Sequence, residues 1–218
     1  DFLNPFRKLR IRFKEPYVLP TVMTCNEVKE ILKYLYKLRA DNPDTGGYAY
    51  KAQTRDIAVV ELLFATGIRV SELCELSCDA VDLKQATIKV FGKGSKERVI
   101  QICSVEVLKI LRQYQRLFAP SECFFINRLG NRLSSQSVRL LIKRCQEETE
   151  IGKKITPHTF RHTFATLLLE EDVDIKYIQN LLGHSSITTT QIYTHVNMNK
   201  QKKILSSKHP RKKMEMEK

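Results

Sequence analysis

The sequence is poor in everything that would anchor it in a membrane, cross-link it or bind a structural metal. No apolar run is long enough to cross a bilayer and no secretory signal is visible, so a soluble cytoplasmic protein is expected. The six cysteines, Cys25, Cys74, Cys78, Cys103, Cys123 and Cys145, include no CxxC pair. Cys74 and Cys78 would share a helix face, which suits neither a zinc knuckle nor a ready disulfide. Most of the six are therefore expected to be buried thiols in a reducing compartment. Acidic residues are also scarce. Asp and Glu number 24 against 37 Lys and Arg, a formal net charge of +13 with a pI near 9.5. That excess suits a polyanionic partner, because each cation beside a phosphate releases condensed counterions. A basic but merely solvated surface is the bland alternative.

What is present is a chain of 218 residues with an ordinary hydrophobic fraction of 42%, enough for a real core. Residues 1–20 are basic and extended in character and read as an interdomain linker. Thr24 and Glu27 form a capping-box pattern, and Val28, Ile31, Leu32, Tyr34 and Leu35 follow at helical spacing. Asp41 to Tyr50 is turn chemistry and predicts a loop. Ala58 to Thr66 predicts a helix stopped by Gly67, before a second helix carrying Arg69, Glu72 and Leu73. From Ala86 the period changes to two: Ile88 and Val90, then Ile100 and Ile102, flank a glycine-rich tip and predict a β-hairpin. Helices are then expected at 105–118, 135–147, 157–170, 175–182 and 187–195. The fold class is α+β, mainly helical with one small antiparallel β-sheet. Residues 200–218 form a lysine-rich tail in which Ile204 and Leu205 are the clear aliphatic pair.

Four stretches carry chemistry. In Thr156-Pro157-His158-Thr159-Phe160-Arg161, Thr156 is a good N-cap and Pro157 suits the first helical position. His158 and Arg161 then lie three apart, where free backbone N–H groups and the helix dipole attract an anion. In Leu182-Gly183-His184-Ser185-Ser186, the glycine ends a helix and His184 falls in the joint before a helix bearing Tyr193. The others are Ala65-Thr66-Gly67-Ile68-Arg69-Val70-Ser71-Glu72 and the hairpin tip around Lys93. Each alone has a bland reading as surface or core filler.

Together and in this order, the motifs TGIRVSEL, GKGSKER, HTFRHTFAT and LGHSSITTTQIYTH resemble the tyrosine recombinase (phage integrase) family, in particular its bacterial and phage branch. The likeness runs from about Leu19 to Asn199. It implies the tyrosine recombinase catalytic domain fold for 21–199, with 1–20 leading from an N-terminal DNA-binding domain. It also implies a catalytic set of Arg69, Lys93, His158, Arg161, His184 and Tyr193, the last as nucleophile. Lys96 lies close enough to Lys93 to compete for its role, but the family's lysine stands between two glycines, as Lys93 does. Glu72 falls on a position that orients the site, where structural support and chemistry are equally open. Double-stranded DNA is the implied substrate. A homotetramer on DNA with C-terminal tails exchanged between protomers, and accessory proteins, are the implied partners. No cofactor is implied.

The chemistry makes sense of the set. A phenol has a pKa near 10, so a phenolate at neutral pH costs about 4 kcal/mol. Arg69 and Arg161 would neutralise the charge gathering on the non-bridging oxygens, much as magnesium does in other phosphoryl transfers. His158 is the expected base or proton relay, His184 a donor to a phosphate oxygen, and Lys93 the acid for the leaving 5′-oxygen. Because the phosphoester bond is kept in a 3′-phosphotyrosyl adduct, a 5′-hydroxyl can reverse the step without ATP. Three rivals are weaker. A zinc site at His158 and His162 lacks the Glu of HExxH and places a cation beside the metal. A type IB topoisomerase would not share the motifs between the catalytic residues. A DNA-binding module without the reaction would not need the intact set.

Overall fold

The computed structural model describes residues 20–91, 97–118 and 121–183. Lys93, Lys96, His184, Tyr193, the expected helix at 187–195, the 200–218 tail and nearly all of the expected linker lie outside the described residues. The elements run α1 (Cys25–Ala40), α2 (Tyr48–Thr66), α3 (Val70–Cys74), β1 (Val81–Asp82), β2 (Thr87–Phe91), β3 (Glu97–Gln101), α4 (Val105–Leu117), α5 (Ser135–Glu148), α6 (Pro157–Glu170) and α7 (Ile175–Leu182). This is the mainly helical α+β architecture expected, with one small antiparallel sheet.

The centre of the fold is α2. Ile57 to Val60, Leu62 and Leu63 are all fully buried, and a helix that is apolar all round must be surrounded. It packs against α1, α4 and α6. It also begins ten residues before the apolar stretch that announced it. Asp41–Tyr50 is therefore a loop only as far as Gly47, where the Asp44 carboxylate accepts from the N–H groups of Gly46 and Gly47 and closes the turn. The first turns of α2 carry no apolar period, because their buried members are polar with partners of their own. Thr54 donates to the Tyr50 carbonyl, and Asp56 pairs with Arg55 and Arg144.

The capping box of α1 forms as expected. Thr24 accepts from the Glu27 N–H, and the Glu27 carboxylate accepts from the Thr24 N–H at 2.6 Å. Lys153 ties this end to the rest of the fold through Glu27 and the Val22 carbonyl, each at 2.7 Å. The sheet order is β1-β2-β3, with Ile88 opposite Ile100 and Val90 opposite Arg98. The strand β1, two residues long, was not anticipated, being too short to show a period. Of the cysteines only Cys74 and Cys145 are buried, while Cys25 and Cys103 are exposed, which corrects the expectation that most would be buried. Cys25 opens α1 on its solvent side, and Cys103 lies in the short connection between β3 and α4.

Among the described residues, two apolar clusters result. The larger joins α1, α2, α4, α5 and the sheet, around Tyr114, Phe124 and Phe125 in mutual ring contact. The smaller lies between α6 and α7, where Ala165, Ile178 and Leu182 are buried with Phe164 and Leu168 against them. The candidate site lies where the second cluster meets the ends of α2 and α3. Among the described residues, no helix is long and apolar enough to cross a membrane.

Candidate active site

The first turn of α6 is built as its sequence requires. Thr156 accepts from the Thr159 N–H at 3.3 Å, the Thr159 hydroxyl returns the contact to the Thr156 N–H at 3.1 Å, and Pro157 takes the first helical position. His158, next in line, is exposed at the end of the helix where backbone N–H groups and the dipole favour an anion. Arg161, one turn on, is buried at 5% exposure.

A buried guanidinium needs acceptors, and Arg161 finds them at two helix ends. Its Nη1 donates to the Gly67 carbonyl at 2.7 Å and its Nη2 to the Leu182 carbonyl at 2.6 Å. Both acceptors sit at C-termini, of α2 and α7, where the helix dipole is negative and stabilises a cation. Arg69 reaches the adjoining peptide. Its Nη2 donates to the Gly183 carbonyl at 3.0 Å and its Nη1 to Glu72 Oε1 at 2.7 Å. The two arginines thus grip consecutive carbonyls, at the residues immediately before His184.

Arg69 is the N-cap of α3 rather than a member of the helix, as the sequence had implied. Its backbone N–H donates to Glu72 Oε2 at 3.0 Å. Glu72 is buried and carries a second cation, Arg98, whose Nη1 and Nη2 meet the two carboxylate oxygens at 2.8 Å each. Burial pushes the Glu72 carboxyl up, but hydrogen bonds from Arg98, from the Arg69 N–H and from the Arg69 side chain outweigh it and hold the group down at about 2. Glu72 is therefore an anion at neutral pH. His162, half-buried beside Arg161, is held below its ordinary 6.5 by burial first and then by the charges of His158 and Arg161. Among the described residues, no group of three His, Cys, Asp or Glu stands together as metal ligands would.

The structure therefore brings together Arg69, Glu72 and Arg161, with His158 on the same first turn as Arg161. Lys93, His184 and Tyr193 lie outside the described residues. Arg98 was not singled out from the sequence, although a signal was there. It lies opposite Val90 and two residues before Ile100, so the period of two puts it on the inner face of the hairpin. A charge on a buried face must have a partner, and that partner is Glu72.

Residues 21–200 match the phage integrase family. The chain belongs to that family. A tyrosine recombinase of Agathobacter rectalis is 50% identical over 213 residues, covering 96% of this chain and 69% of the relative. Tyrosine recombinase XerD of Staphylococcus saprophyticus is 38% identical, with 88% of this chain and 64% of the relative covered. XerC of Thermodesulfovibrio yellowstonii is 44% identical, with 72% and 55% covered. The chain thus spans between about half and two thirds of the length of these curated relatives. Among solved structures, the XerA recombinase superposes with a TM-score of 0.71 at 32% identity, over 88% of this chain and 67% of that one. XerH in a post-cleavage complex with a palindromic difH substrate gives 0.73 at 24% identity, over 87% and 54%, a likeness of fold alone. By family and by fold the chain belongs with the tyrosine recombinases.

Proposed function

We propose that this phage integrase family member cuts and rejoins DNA strands at a defined site, with Tyr193 attacking the scissile phosphate to leave a 3′-phosphotyrosyl link and a free 5′-hydroxyl. The observation that carries this reading is the convergence of Arg69 and Arg161 on the carbonyls of Leu182 and Gly183, beside the anion-favouring start of α6. Two guanidiniums held in a rigid frame supply the positive charge that a five-coordinate phosphorane gathers on its non-bridging oxygens. The reaction then needs neither metal nor ATP. The phenol proton passes toward His158, His184 donates to a phosphate oxygen, and Lys93 protonates the departing 5′-oxygen. Religation is the same step reversed, with the 5′-hydroxyl of another strand as nucleophile. Glu72 orients Arg69.

Double-stranded DNA is the partner, engaged from the cytoplasm by a chain with a net charge of +13. Strand exchange calls for two duplexes and hence a tetramer, with residues 200–218 passing to a neighbouring protomer and accessory proteins arranging the sites.

The test is a library of nicked duplexes of random sequence, in which loss of the short 3′ fragment traps the cleaved strand, incubated with the chain in EDTA. A slow-migrating band on a denaturing gel is expected from the wild type and not from Tyr193→Phe, which should still bind DNA. Sequencing the trapped strand gives the site. Relaxation of any plasmid without site preference would speak for a topoisomerase instead, and loss of DNA binding in Tyr193→Phe would make the tyrosine structural.

A further inference from the structure

We infer that Arg98 is a positioning residue of the strand-cleavage site, whose two-pronged grip on Glu72 sets where the Arg69 guanidinium stands against the phosphate. This rests on the reading of Arg69 as a phosphate ligand. The argument is one of competition for a carboxylate. An arginine and a glutamate left to themselves favour a fork-on-fork pair, two parallel N–H to oxygen bonds that consume one edge of the guanidinium and cancel its charge. In this site that edge of Glu72 is already taken. Arg98 Nη1 bonds Oε1 and Nη2 bonds Oε2, both at 2.8 Å. The Arg69 side chain is left a single prong, Nη1 on Oε1 at 2.7 Å, and its Nη2 turns instead to the Gly183 carbonyl at 3.0 Å.

Two cations on one buried anion also leave a net positive charge at the place where a phosphate would sit. Take Arg98 away and Glu72 Oε2 keeps only the Arg69 backbone N–H, with room to accept Arg69 Nη2 as well, which would pull Nη2 off Gly183 and neutralise the charge. Arg98 does not reach the substrate side by itself. Its side chain is only 15% exposed, and its Nε is buried with no hydrogen-bond partner among the described residues, so Glu72 is the group that holds it. It also stands against Gly183, the C-cap of α7. A Cβ on Gly183 would stand 2.9 Å from its Nη1 and 3.1 Å from its Cδ and Cζ. Through β3 it belongs to the antiparallel β2–β3 pair. One arginine thus joins three parts of the site that the chain supplies from distant positions.

The experiment measures single-turnover strand scission by the full chain on the duplex recovered from the library above. That duplex is made with an ordinary scissile phosphate and with an uncharged methylphosphonate in its place. The methylphosphonate lacks one anionic oxygen and so leans less on the arginines. Arg98→Gln should slow scission of the ordinary duplex roughly 100-fold, on the scale of losing one oxyanion donor. DNA affinity should stay within about threefold, since a phosphate contact is not removed. On the methylphosphonate the deficit should shrink to under about tenfold, as it should for Arg69→Ala. Arg98→Lys, a point charge that cannot span both carboxylate oxygens, should fall between wild type and Arg98→Gln, and it carries the test if Arg98→Gln does not fold.

Equal losses on both duplexes would overturn the inference, because a general weakening of the fold does not distinguish a charged phosphate from a neutral one. So would wild-type rates in both Arg98 variants while Arg69→Ala is crippled. If Arg69→Ala itself cleaves normally, the reading of Arg69 fails and the inference falls with it.

Discussion

Gly67 and Gly183 are counterparts. Each ends a helix in the left-handed region, at φ 59° and 64°, and each lends its carbonyl to an arginine of the candidate site, Gly67 to Arg161 and Gly183 to Arg69. Their surroundings differ. A Cβ on Gly67 would stand 2.7 Å from the Phe164 ring and 2.8 Å from Leu182, apolar groups fixed in the cluster between α6 and α7. A Cβ on Gly183 would meet the far end of Arg98, a flexible side chain that can move aside. The first joint is therefore a restraint on the fold, because it seats α2 against α6 and α7. The second is a restraint on the site, because what yields there is an ion pair rather than a core. One backbone device serves stability in one place and geometry in the other.

The largest effect is expected at Gly67. Gly67→Ala forces a left-handed alanine into a filled space, and strain plus overpacking should lower unfolding free energy by about 2–5 kcal/mol in chemical denaturation. A loss below about 1 kcal/mol would show that Phe164 and Leu182 give way, and the two joints would then be alike.

Next comes the anion behind the second joint. The folded-state pKa of Glu72 is depressed from 4.5 to about 2. Its contribution is thus fully present above pH 4.5 and is lost as pH falls toward 2, because the unfolded chain takes up the proton first. With the carboxylate only 5% exposed, solvent screens the interaction little, and the effect should be on the order of 3 kcal/mol. Denaturation midpoints for wild type and Glu72→Gln should converge as pH falls through that window. A constant gap between them would mean that Glu72 titrates as it does in the unfolded chain.

The smallest stability effect is expected at Gly183. Gly183→Ala should cost about 1 kcal/mol for the left-handed conformation. Shifting Arg98 along Glu72 without breaking the pair should nevertheless slow strand scission on the order of tenfold. A stability loss as large as that of Gly67→Ala, with scission slowed only in proportion, would erase the distinction.

Much of this could be read beforehand, and what could not has a common cause. The caps at Thr24 and Thr156 act over three residues and form as expected, and the helices expected from 105 and 135 start there behind Ser104 and Ser134. Gly67 and Gly183 end their helices as punctuation predicts. The early turns of α2 were missed because their buried side chains are polar and are satisfied from elsewhere, Asp56 by Arg144 88 residues on. Arg98 was missed for the same reason, since Glu72 lies 26 residues before it. The residues of the candidate site were legible as an ordered set of motifs, whereas the hydrogen bonds joining Arg69, Arg161 and Arg98 were not.

What the sequence by itself determined is local or periodic: the caps, the helix stops, the two-residue alternation of the hairpin, the basic charge and the order of the motifs. These depend on interactions within a few residues or on composition, and no fold is needed to read them. The tertiary structure alone decided which acceptor each arginine took. Arg161 spans 94 residues to Gly67, and Arg69 spans 114 to Gly183. A guanidinium carries no record in sequence of the carbonyl it will face; that choice is made only when α2, α6 and α7 pack and the buried cation must be satisfied.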